Sequence, residues 1–285
     1  MTPLSEPIAI ARMDRDSERF VRFAQPRLSV LMPAFNEANR IAANLLETIA
    51  SLDVFEPHSE IIVIDDGSAD GTYEEVQVLA ALYPRRIVAI RLNVNEGKGG
   101  ALRAGVKAAR GDLLAFLDAD LDLHPRQLEL FIRMMTTRDA DVVIGSKMHP
   151  DSSVDYPASR RILSAGYYQL IKLLFALPVR DTQTGLKLFR AEALRTNITD
   201  LQVRGFAFDI ELLALIQRAG FRIIEAPIEL DFKRVNTRIS LMAIAQMFFD
   251  TLGIFRRLCR LKKPVHDGTQ TRCTTATIAV RAGLE

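Results

Sequence analysis

Three aspartates on alternate residues are the part of this chain best suited to chemistry. Asp118, Asp120 and Asp122 follow directly after the apolar run 113–117. If the chain stays extended there, a period of two puts the three carboxylates on one side. Like charges this close repel one another unless a cation such as Mg²⁺ or Mn²⁺ neutralises them. A solvated acidic turn is the alternative, but at the end of a buried strand we favour a metal site.

A second pair of carboxylates ends another apolar run. Asp65 and Asp66 follow residues 61–64, and one of the two could accept hydrogen bonds from a nucleobase or a ribose. Gly67, Asp70 and Thr72 come next, and for these turn-forming residues we favour a structural role, with Thr72 as a helix cap.

The glycine-rich turn at 95–100 opens a helix and carries Lys98 and Gly99. Backbone N–H groups and a lysine at a helix start are typical of a phosphate cradle. The spacing is not that of a P-loop, and the turn does not follow the first strand as a dinucleotide fingerprint does.

Two other acidic residues lie at expected helix starts. Glu37 follows Pro33, which is expected to stop the first strand, and Asn36 is a candidate helix cap. Asp209 follows the aromatic residues Phe206 and Phe208 just before a helix. Such a carboxylate can have a raised pKa and act as a base, or it can be an N-cap, and its residue type leaves both roles open.

The elements that position these residues alternate along the first half of the chain. Apolar runs predict strands at 28–32, 61–64, 87–92, 113–117 and 142–145, separated by helices at 38–52, 72–82, 99–109 and 126–135. Helices at 159–177, 211–219 and 239–261 and a strand at 223–226 follow. This pattern predicts an α/β fold with a mostly parallel central sheet and helices on both faces.

Composition narrows the class of protein. With 285 residues and 48% hydrophobic content, the chain can bury a large core. A net charge of +2 and the absence of tryptophan give no sign of a nucleic-acid partner. The two cysteines have no metal-ligand spacing and favour a reducing compartment. The first residues lack a secretory signal, and no stretch has the length and uncharged character of a membrane span. We therefore expect a cytoplasmic protein that is either soluble or peripheral on the cytoplasmic face of a membrane.

Six segments together resemble the motifs of family 2 inverting glycosyltransferases, and in particular those of the dolichyl- or polyprenyl-phosphate glucosyl- and mannosyltransferases. The resemblance covers residues 28–252. The segments, in family order, are Pro33-Ala34-Phe35-Asn36-Glu37, Ile64-Asp65-Asp66-Gly67-Ser68, Asn95-Glu96-Gly97-Lys98-Gly99, Asp118-Ala119-Asp120, Asp181-Thr182-Gln183-Thr184-Gly185 and Phe208-Asp209-Ile210-Glu211.

The resemblance implies a GT-A fold and a role for each motif. Asp118 and Asp120 match the DxD motif that holds a divalent cation against the donor diphosphate, and Asp209 matches the acidic residue on the acceptor side. Lys147 stands where mannosyl members often carry arginine. The residues implied to bind the nucleotide sugar are Pro33, Phe35, Glu37, Asp65, Asp66, Lys98, Gly99, Asp118, Ala119, Lys147, and Arg234 and Arg238 of a basic loop.

The implied activity is metal-dependent, inverting transfer of a hexose from a UDP-glucose-like donor, or from GDP-mannose, to a polyprenyl phosphate. A soluble hydroxyl acceptor is the alternative, and it would need Asp209 as a base. A nucleotide-sugar binding protein without turnover is the alternative from another class.

The ends of the chain are expected to lie outside the transferase domain at 27–238. Residues 1–26 read as a flexible extension and 264–285 as a disordered tail. The segment 239–263 is amphipathic with a basic end. It can lie in the membrane interface as a peripheral contact, or pack on the core or on a second subunit in a homodimer.

Overall fold

The computed structural model describes residues 27–154, 168–203, 205, 207–230 and 241–260, with the backbone alone described for 241–247. The predicted basic-loop residues Arg234 and Arg238 lie outside these ranges. So do the predicted extension 1–26, the tail 264–285 and the first part of the helix expected from residue 159.

A seven-stranded sheet forms the centre of the fold. Its strands are β1 (Leu28–Ala34), β2 (Glu60–Asp65), β3 (Ile87–Arg91), β4 (Leu113–Phe116), β5 (Val142–Ser146), β7 (Lys187–Arg190) and β8 (Ile223–Pro227). Their spatial order is β3-β2-β1-β4-β7-β5-β8. Every neighbouring pair is parallel except those of β7, which runs antiparallel to β4 and β5. Two short strands, β6 (Ser153–Val154) and β9 (Glu229–Leu230), form a separate ladder.

Helices cover both faces of this sheet, as the alternating pattern predicts. They are α1 (Ile41–Phe55), α2 (Thr72–Leu82), α3 (Gly97–Ala108), α4 (Gln127–Thr137), α5 (168–175), α6 (Ala191–Ile198), α7 (Phe208–Arg218) and α8 (Leu241–Arg260). Buried residues of α3 and α5 to α8 form the core on one face, and those of α1, α2 and α4 form the core on the other.

The expected end of the first strand at Pro33 is wrong, because β1 continues to Ala34. In a parallel sheet, alternate residues bond to opposite neighbours. Leu31 accepts a bond from Leu117, so Pro33 also faces the β4 side, where β4 has already ended at Phe116. Its missing N–H therefore leaves no ladder bond unmade.

The C-terminal helix α8 packs on the body of the protein. Thr251, Ile254 and Leu258 on one of its faces are buried, and the Phe255 ring meets the Phe175 ring of α5 edge-on at 5.9 Å. The sequence analysis left the membrane interface, the core and a second subunit as alternatives for this segment. This face of α8 packs on the core. No helix among the described residues combines the length and apolar character needed to cross a bilayer.

Candidate active site

The predicted site segments meet at one edge of the sheet. Parallel strands β1, β2, β4 and β5 all end there, so the loops that follow them lie side by side. Because β7 is antiparallel, it begins at this edge, and the loop 181–186 that enters it joins the others. The sequence pattern did not predict β7, since Lys187 and Arg190 interrupt its apolar residues.

The first two loops are tied together by backbone-to-side-chain hydrogen bonds. The N–H of Asn36 donates to Ser68 Oγ at 2.9 Å, and that of Glu37 donates to Thr72 Oγ1 at 2.8 Å. The expected capping roles are wrong, because α1 begins only at Ile41 and neither helix has a side-chain cap. Asn36 and Thr72 instead join the two loops that carry Glu37 and Asp66.

Asp65 and Asp66 are both buried at the end of β2. Asp65 Oδ1 accepts from the Ser68 N–H at 3.2 Å, so this residue stabilises its own turn. Asp66 Oδ1 accepts from the Glu96 N–H at 2.7 Å, which links β2 to the start of α3. Burial raises the pKa of Asp66, and the bonds from the Glu96 and Gly97 N–H groups offset part of that rise.

Lys98 in the first turn of α3 reaches across to the aspartate run and forms an ion pair with Asp118. Desolvation alone would lower the pKa of Lys98, but the carboxylates of Asp118 and Asp209 raise it above its ordinary value. Desolvation likewise opposes ionisation of Asp118, and the ammonium groups of Lys98, Lys187 and Lys147 bring its pKa below the ordinary value. Both partners are therefore charged near neutral pH.

The aspartate run turns instead of staying extended, so the premise that placed its three carboxylates on one side is wrong. Leu121 has a φ of 53° and its N–H bonds to the Asp118 carbonyl at 3.3 Å. Among the described residues no three acidic, histidine or cysteine side chains form a ready metal-binding group. The assignment of Asp118, Asp120 and Asp122 as metal ligands stays a prediction.

The electrostatics of Asp120 nevertheless suit a bound cation. Desolvation raises its pKa, and the neighbouring carboxylates of Asp118 and Asp122 raise it further. Asp120 Oδ1 accepts a hydrogen bond from the Asp122 N–H at 3.2 Å. A hard divalent cation shared by Asp118 and Asp120 would remove this repulsion, and carboxylate oxygens are ligands that Mg²⁺ and Mn²⁺ prefer. If Asp118 and Asp120 supplied two ligands to such a cation, the remaining positions of its coordination shell would be open to phosphate oxygens and water.

The loop 181–185 brings Lys147 and Asp118 to the same place. Asp181 Oδ2 accepts from the Lys147 N–H at 3.1 Å and from Thr184 Oγ1 at 2.7 Å. At the other end of the loop, Gly185 lies directly against the carboxylate of Asp118. Lys147 and Asp118, both predicted to lie near the diphosphate, therefore each contact the loop 181–185.

Lys187 is a member of the site that the sequence analysis missed. Its Nζ lies 2.7 Å from Asp209 Oδ1, with side chains 1% and 6% exposed, and it donates to the Thr184 carbonyl at 2.5 Å. Burial raises the pKa of Asp209 and lowers that of Lys187, and the attraction between the two opposes both shifts. The sequence feature that could have indicated this residue is a single lysine between the apolar residues Leu186 and Leu188.

Asp209 lies in the first turn of α7, which begins at Phe208, and so it is not the N-cap of that helix. The start of α7 packs on the start of α3. A Cβ built on Gly99 would come 3.0 Å from Phe208 Cβ. Gly99 is thus a packing position, and it brings Asp209 and Lys98 onto the same face of the sheet.

Arg40 and Asn44 are further contributors that the sequence analysis did not identify. Arg40 forms an ion pair with Glu37, and its charge partly offsets the raised pKa of Asp120. Asn44 Nδ2 donates to the Ala119 carbonyl at 2.7 Å and so holds the aspartate turn against α1. Arg40 directly precedes α1 and Asn44 lies in its first turn, and neither belongs to one of the six sequence motifs.

Comparison with known proteins gives a consistent family. A family model described as glycosyl transferase family 2 matches residues 29–197. Glycosyltransferase AglD of Haloferax volcanii is 34% identical over 235 residues, which are 82% of this chain and 36% of that protein. The dolichyl-phosphate beta-glucosyltransferase of Drosophila melanogaster is 36% identical over 203 residues, which are 67% of this chain and 62% of that protein. The chain therefore spans between about a third and two thirds of the length of these relatives.

Solved structures with the same architecture include two that contain a metal and a nucleotide. Glucosyl-3-phosphoglycerate synthase from Mycobacterium tuberculosis with Mn²⁺, uridine diphosphate and glucosyl-3-phosphoglycerate has a TM-score of 0.59 at 23% identity, covering 84% of this chain and 82% of that one. A mannosyltransferase from Pyrobaculum calidifontis in complex with GDP-Man and Mn²⁺ has a TM-score of 0.59 at 23% identity, covering 84% and 66%. At this identity the likeness concerns the fold, and the predicted GT-A architecture is confirmed.

Proposed function

Since the chain belongs to glycosyl transferase family 2, we propose that it transfers a hexose with inversion from a nucleotide sugar to a polyprenyl phosphate. The observation that carries this proposal is one continuous path of contacts across the edge of the sheet. The path runs from Asp66 to the start of α3, through the Lys98–Asp118 ion pair, and along the loop 181–185 to Asp209. It joins a nucleotide side, a diphosphate side and an acceptor side in one site.

The donor binds along the first part of that path. Asp66 contacts the base, and Pro33, Phe35 and Glu37 line the nucleotide pocket with the half-exposed ring of Phe35 available for contact. Asp118 and Asp120 would hold Mg²⁺ or Mn²⁺, which would supply a Lewis acid for the negative charge on the departing diphosphate. Lys98 and Lys147 add positive charge there. Arg234 and Arg238 of the basic loop, which lie outside the described residues, are predicted from the sequence resemblance to add more. A UDP-glucose-like donor is preferred, because glucosyltransferases recur among the relatives, and GDP-mannose comes second.

The acceptor approaches from the α7 side. A phosphate oxygen of the lipid attacks the anomeric carbon from the face opposite the diphosphate, and the new C–O bond forms as the bond to the diphosphate oxygen breaks. The electron pair leaves with the nucleoside diphosphate. Because the lipid phosphate is already anionic, it needs no general base, and Asp209 can remain paired with Lys187. The dolichyl-phosphate acceptor in the names of several relatives supports this choice.

A lipid acceptor implies contact with a membrane, and α8 offers an outward stripe for it. Phe249, Arg256 and Arg260 follow one another at spacings of seven and four, so they share one helix face, and all three are exposed. An aromatic residue followed by arginines suits the interface of an anionic bilayer. The protein is thus a peripheral membrane enzyme, while the cytoplasmic location and the homodimer remain predictions from sequence.

The test is a transfer assay with UDP-glucose or GDP-mannose and a polyprenyl phosphate in detergent, with Mg²⁺ or Mn²⁺ or with excess chelator. The matched control acceptor is the corresponding polyprenol, which differs only in the missing phosphate. We expect transfer to the phosphate that depends on metal, and none to the alcohol. Transfer to the polyprenol, full activity in chelator, or donor binding without transfer to either acceptor would each contradict the proposal.

A further inference from the structure

Lys187 occupies an unusual place for a lysine, in the middle of the sheet. It is 1% exposed, and it pairs with Phe116 of β4 on one side and Ile144 of β5 on the other. Burying an ammonium group here is costly unless it is compensated. A structural role alone accounts poorly for it, because replacing a buried ion pair by apolar side chains is often neutral or stabilising.

The contacts of Lys187 join the two halves of the site. Its Nζ lies 2.7 Å from Asp209 Oδ1 on the acceptor side, and it donates at 2.5 Å to the carbonyl of Thr184 in the loop 181–185. Continuing the antiparallel register two residues beyond the Lys187–Phe116 pair places Gly185 opposite Asp118, where the two are in contact. One ammonium group thus holds the acceptor-side carboxylate to the loop that fixes the donor-side carboxylate.

We propose that Lys187 is a positioning residue that acts through Asp209. Its ammonium group neutralises the Asp209 carboxylate and holds it at a fixed position relative to the Asp118 carboxylate. The inference rests on the proposed function. The charged groups that face Asp209 are Lys187 from β7, Lys98 from α3 and Asp118 after β4. Lys98 is already paired with Asp118, so Lys187 is the residue in contact that compensates Asp209.

Loss of Lys187 therefore harms the site through the carboxylate that it leaves behind. With methionine at this position, buried Asp209 loses the one ammonium group in contact with it and must move or take up a proton. Methionine is unbranched and close to lysine in volume, so the packing between Phe116 and Ile144 is preserved. Removing the charge of Asp209 as well should relieve most of the harm, since no uncompensated group then remains.

The experiment is a double-mutant cycle of Lys187→Met and Asp209→Asn, measured as kcat and KM for polyprenyl phosphate and for the donor. We expect Lys187→Met to lower kcat/KM for the acceptor by about tenfold or more, while the donor KM changes by less than about threefold. The double variant should recover to within about threefold of Asp209→Asn alone. Lys107→Met, at an exposed lysine in the last turn of α3, is the matched control and should leave all constants unchanged.

Several outcomes would overturn the inference. If the two losses multiply in the double variant, Lys187 does not act through Asp209. If the donor KM rises as much as the acceptor KM, the residue has a general structural role. If Lys187→Met fails to fold, the double variant still tests the proposal, because it leaves no charge at either position. Activity of the double variant far below that of Asp209→Asn would contradict the proposal. Absence of transfer by the unmodified protein would instead end the proposed function.

Discussion

Gly185 and Asp118 lie so close that a single methyl group on Gly185 would overlap the Asp118 carboxylate. The φ of Gly185 is not in the left-handed region, so space and not backbone conformation requires glycine here. Gly185 lies nearest to Oδ2 of Asp118, and Lys98 is at the same time paired with Oδ1 of the same carboxylate. The orientation of this carboxylate is therefore fixed by two different segments of the chain, both of which are distant from it in sequence.

Gly185→Ala should displace the Asp118 carboxylate and reduce turnover with metal and nucleotide sugar by about 10²-fold, because a misplaced charge next to the diphosphate loses its stabilising effect. The measurement is initial rate against Mn²⁺ concentration. Gly253→Ala is the matched control, since a Cβ at this helical glycine meets nothing within 4 Å. The control should keep its activity and gain stability of up to about 1 kcal/mol. Normal metal dependence in Gly185→Ala would show that the close contact has no functional consequence.

Asp120→Asn should abolish metal-dependent donor turnover while leaving the fold intact. A pKa raised above the ordinary value of 3.8 means that the folded protein binds a proton more tightly than the unfolded chain does. Ionised Asp120 therefore lowers the free energy of unfolding above that pH, and the cost disappears as the pH falls toward 3.8. We expect the metal-free variant to melt at a higher temperature than the unmodified protein at pH 7, with a difference that shrinks as the pH is lowered toward 3.8.

The Asp120 experiment combines thermal melting between pH 7 and about pH 4 with turnover in Mn²⁺ and in chelator. A variant that keeps its metal-stimulated turnover would remove Asp120 from the predicted metal site. A melting temperature that falls at pH 7 on substitution would contradict the electrostatic argument, because the carboxylate would then be stabilising.

Asp209→Asn discriminates the two classes of acceptor. A hydroxyl acceptor must lose a proton as it attacks, and a positioned base contributes about 10²–10⁴-fold to such a step. A lipid phosphate needs no base, so we expect a loss well below that range. Substitution of Arg234 or Arg238, which lie outside the described residues, should cost more. A loss of several orders of magnitude with a residual rate that climbs with pH would indicate a hydroxyl acceptor.

Phe249 should contribute to membrane binding because it is 67% exposed on the outward stripe of α8. We expect Phe249→Ser to weaken flotation with anionic vesicles. Binding by the unmodified protein should fall as salt is raised, since the attraction of Arg256 and Arg260 is screened. Leu82→Ser is the matched control, because Leu82 is 68% exposed at the end of α2. Equal losses in both variants, or no vesicle binding at low salt, would favour packing on a partner over the membrane.

Much of the fold followed from the sequence alone because its signals are local. Apolar runs and their spacing located six of the seven strands of the sheet, and the bounds of α2 agree with its prediction at both ends. The family was also accessible, because six short motifs in a fixed order are specific even where each one alone is weak. The matched family and the architecture confirm both predictions.

The sequence also determined which residue types stand at the ends of the strands, and therefore that carboxylates gather at one edge of a sheet. It could not determine their orientation. The aspartate run was expected to extend, but the turn at Leu121 redirects it, and capping roles were assigned to Asn36 and Thr72, which instead bond between loops. The bonds of Asn36 and Thr72 join loops more than 30 residues apart, and Asn44 of α1 bonds to the aspartate turn from 75 residues away, so no local pattern contains these choices.

Only the tertiary structure placed Lys187 beside Asp209 and Gly185 against Asp118. Both contacts require that β7 enter the sheet antiparallel between β4 and β5, and a strand's neighbours and direction are decided by which arrangement buries both faces of the sheet. A lysine in a short strand has no local reason to be buried. It is buried here because the folded chain brings a carboxylate to it, and that pairing is a property of the assembled sheet and helices.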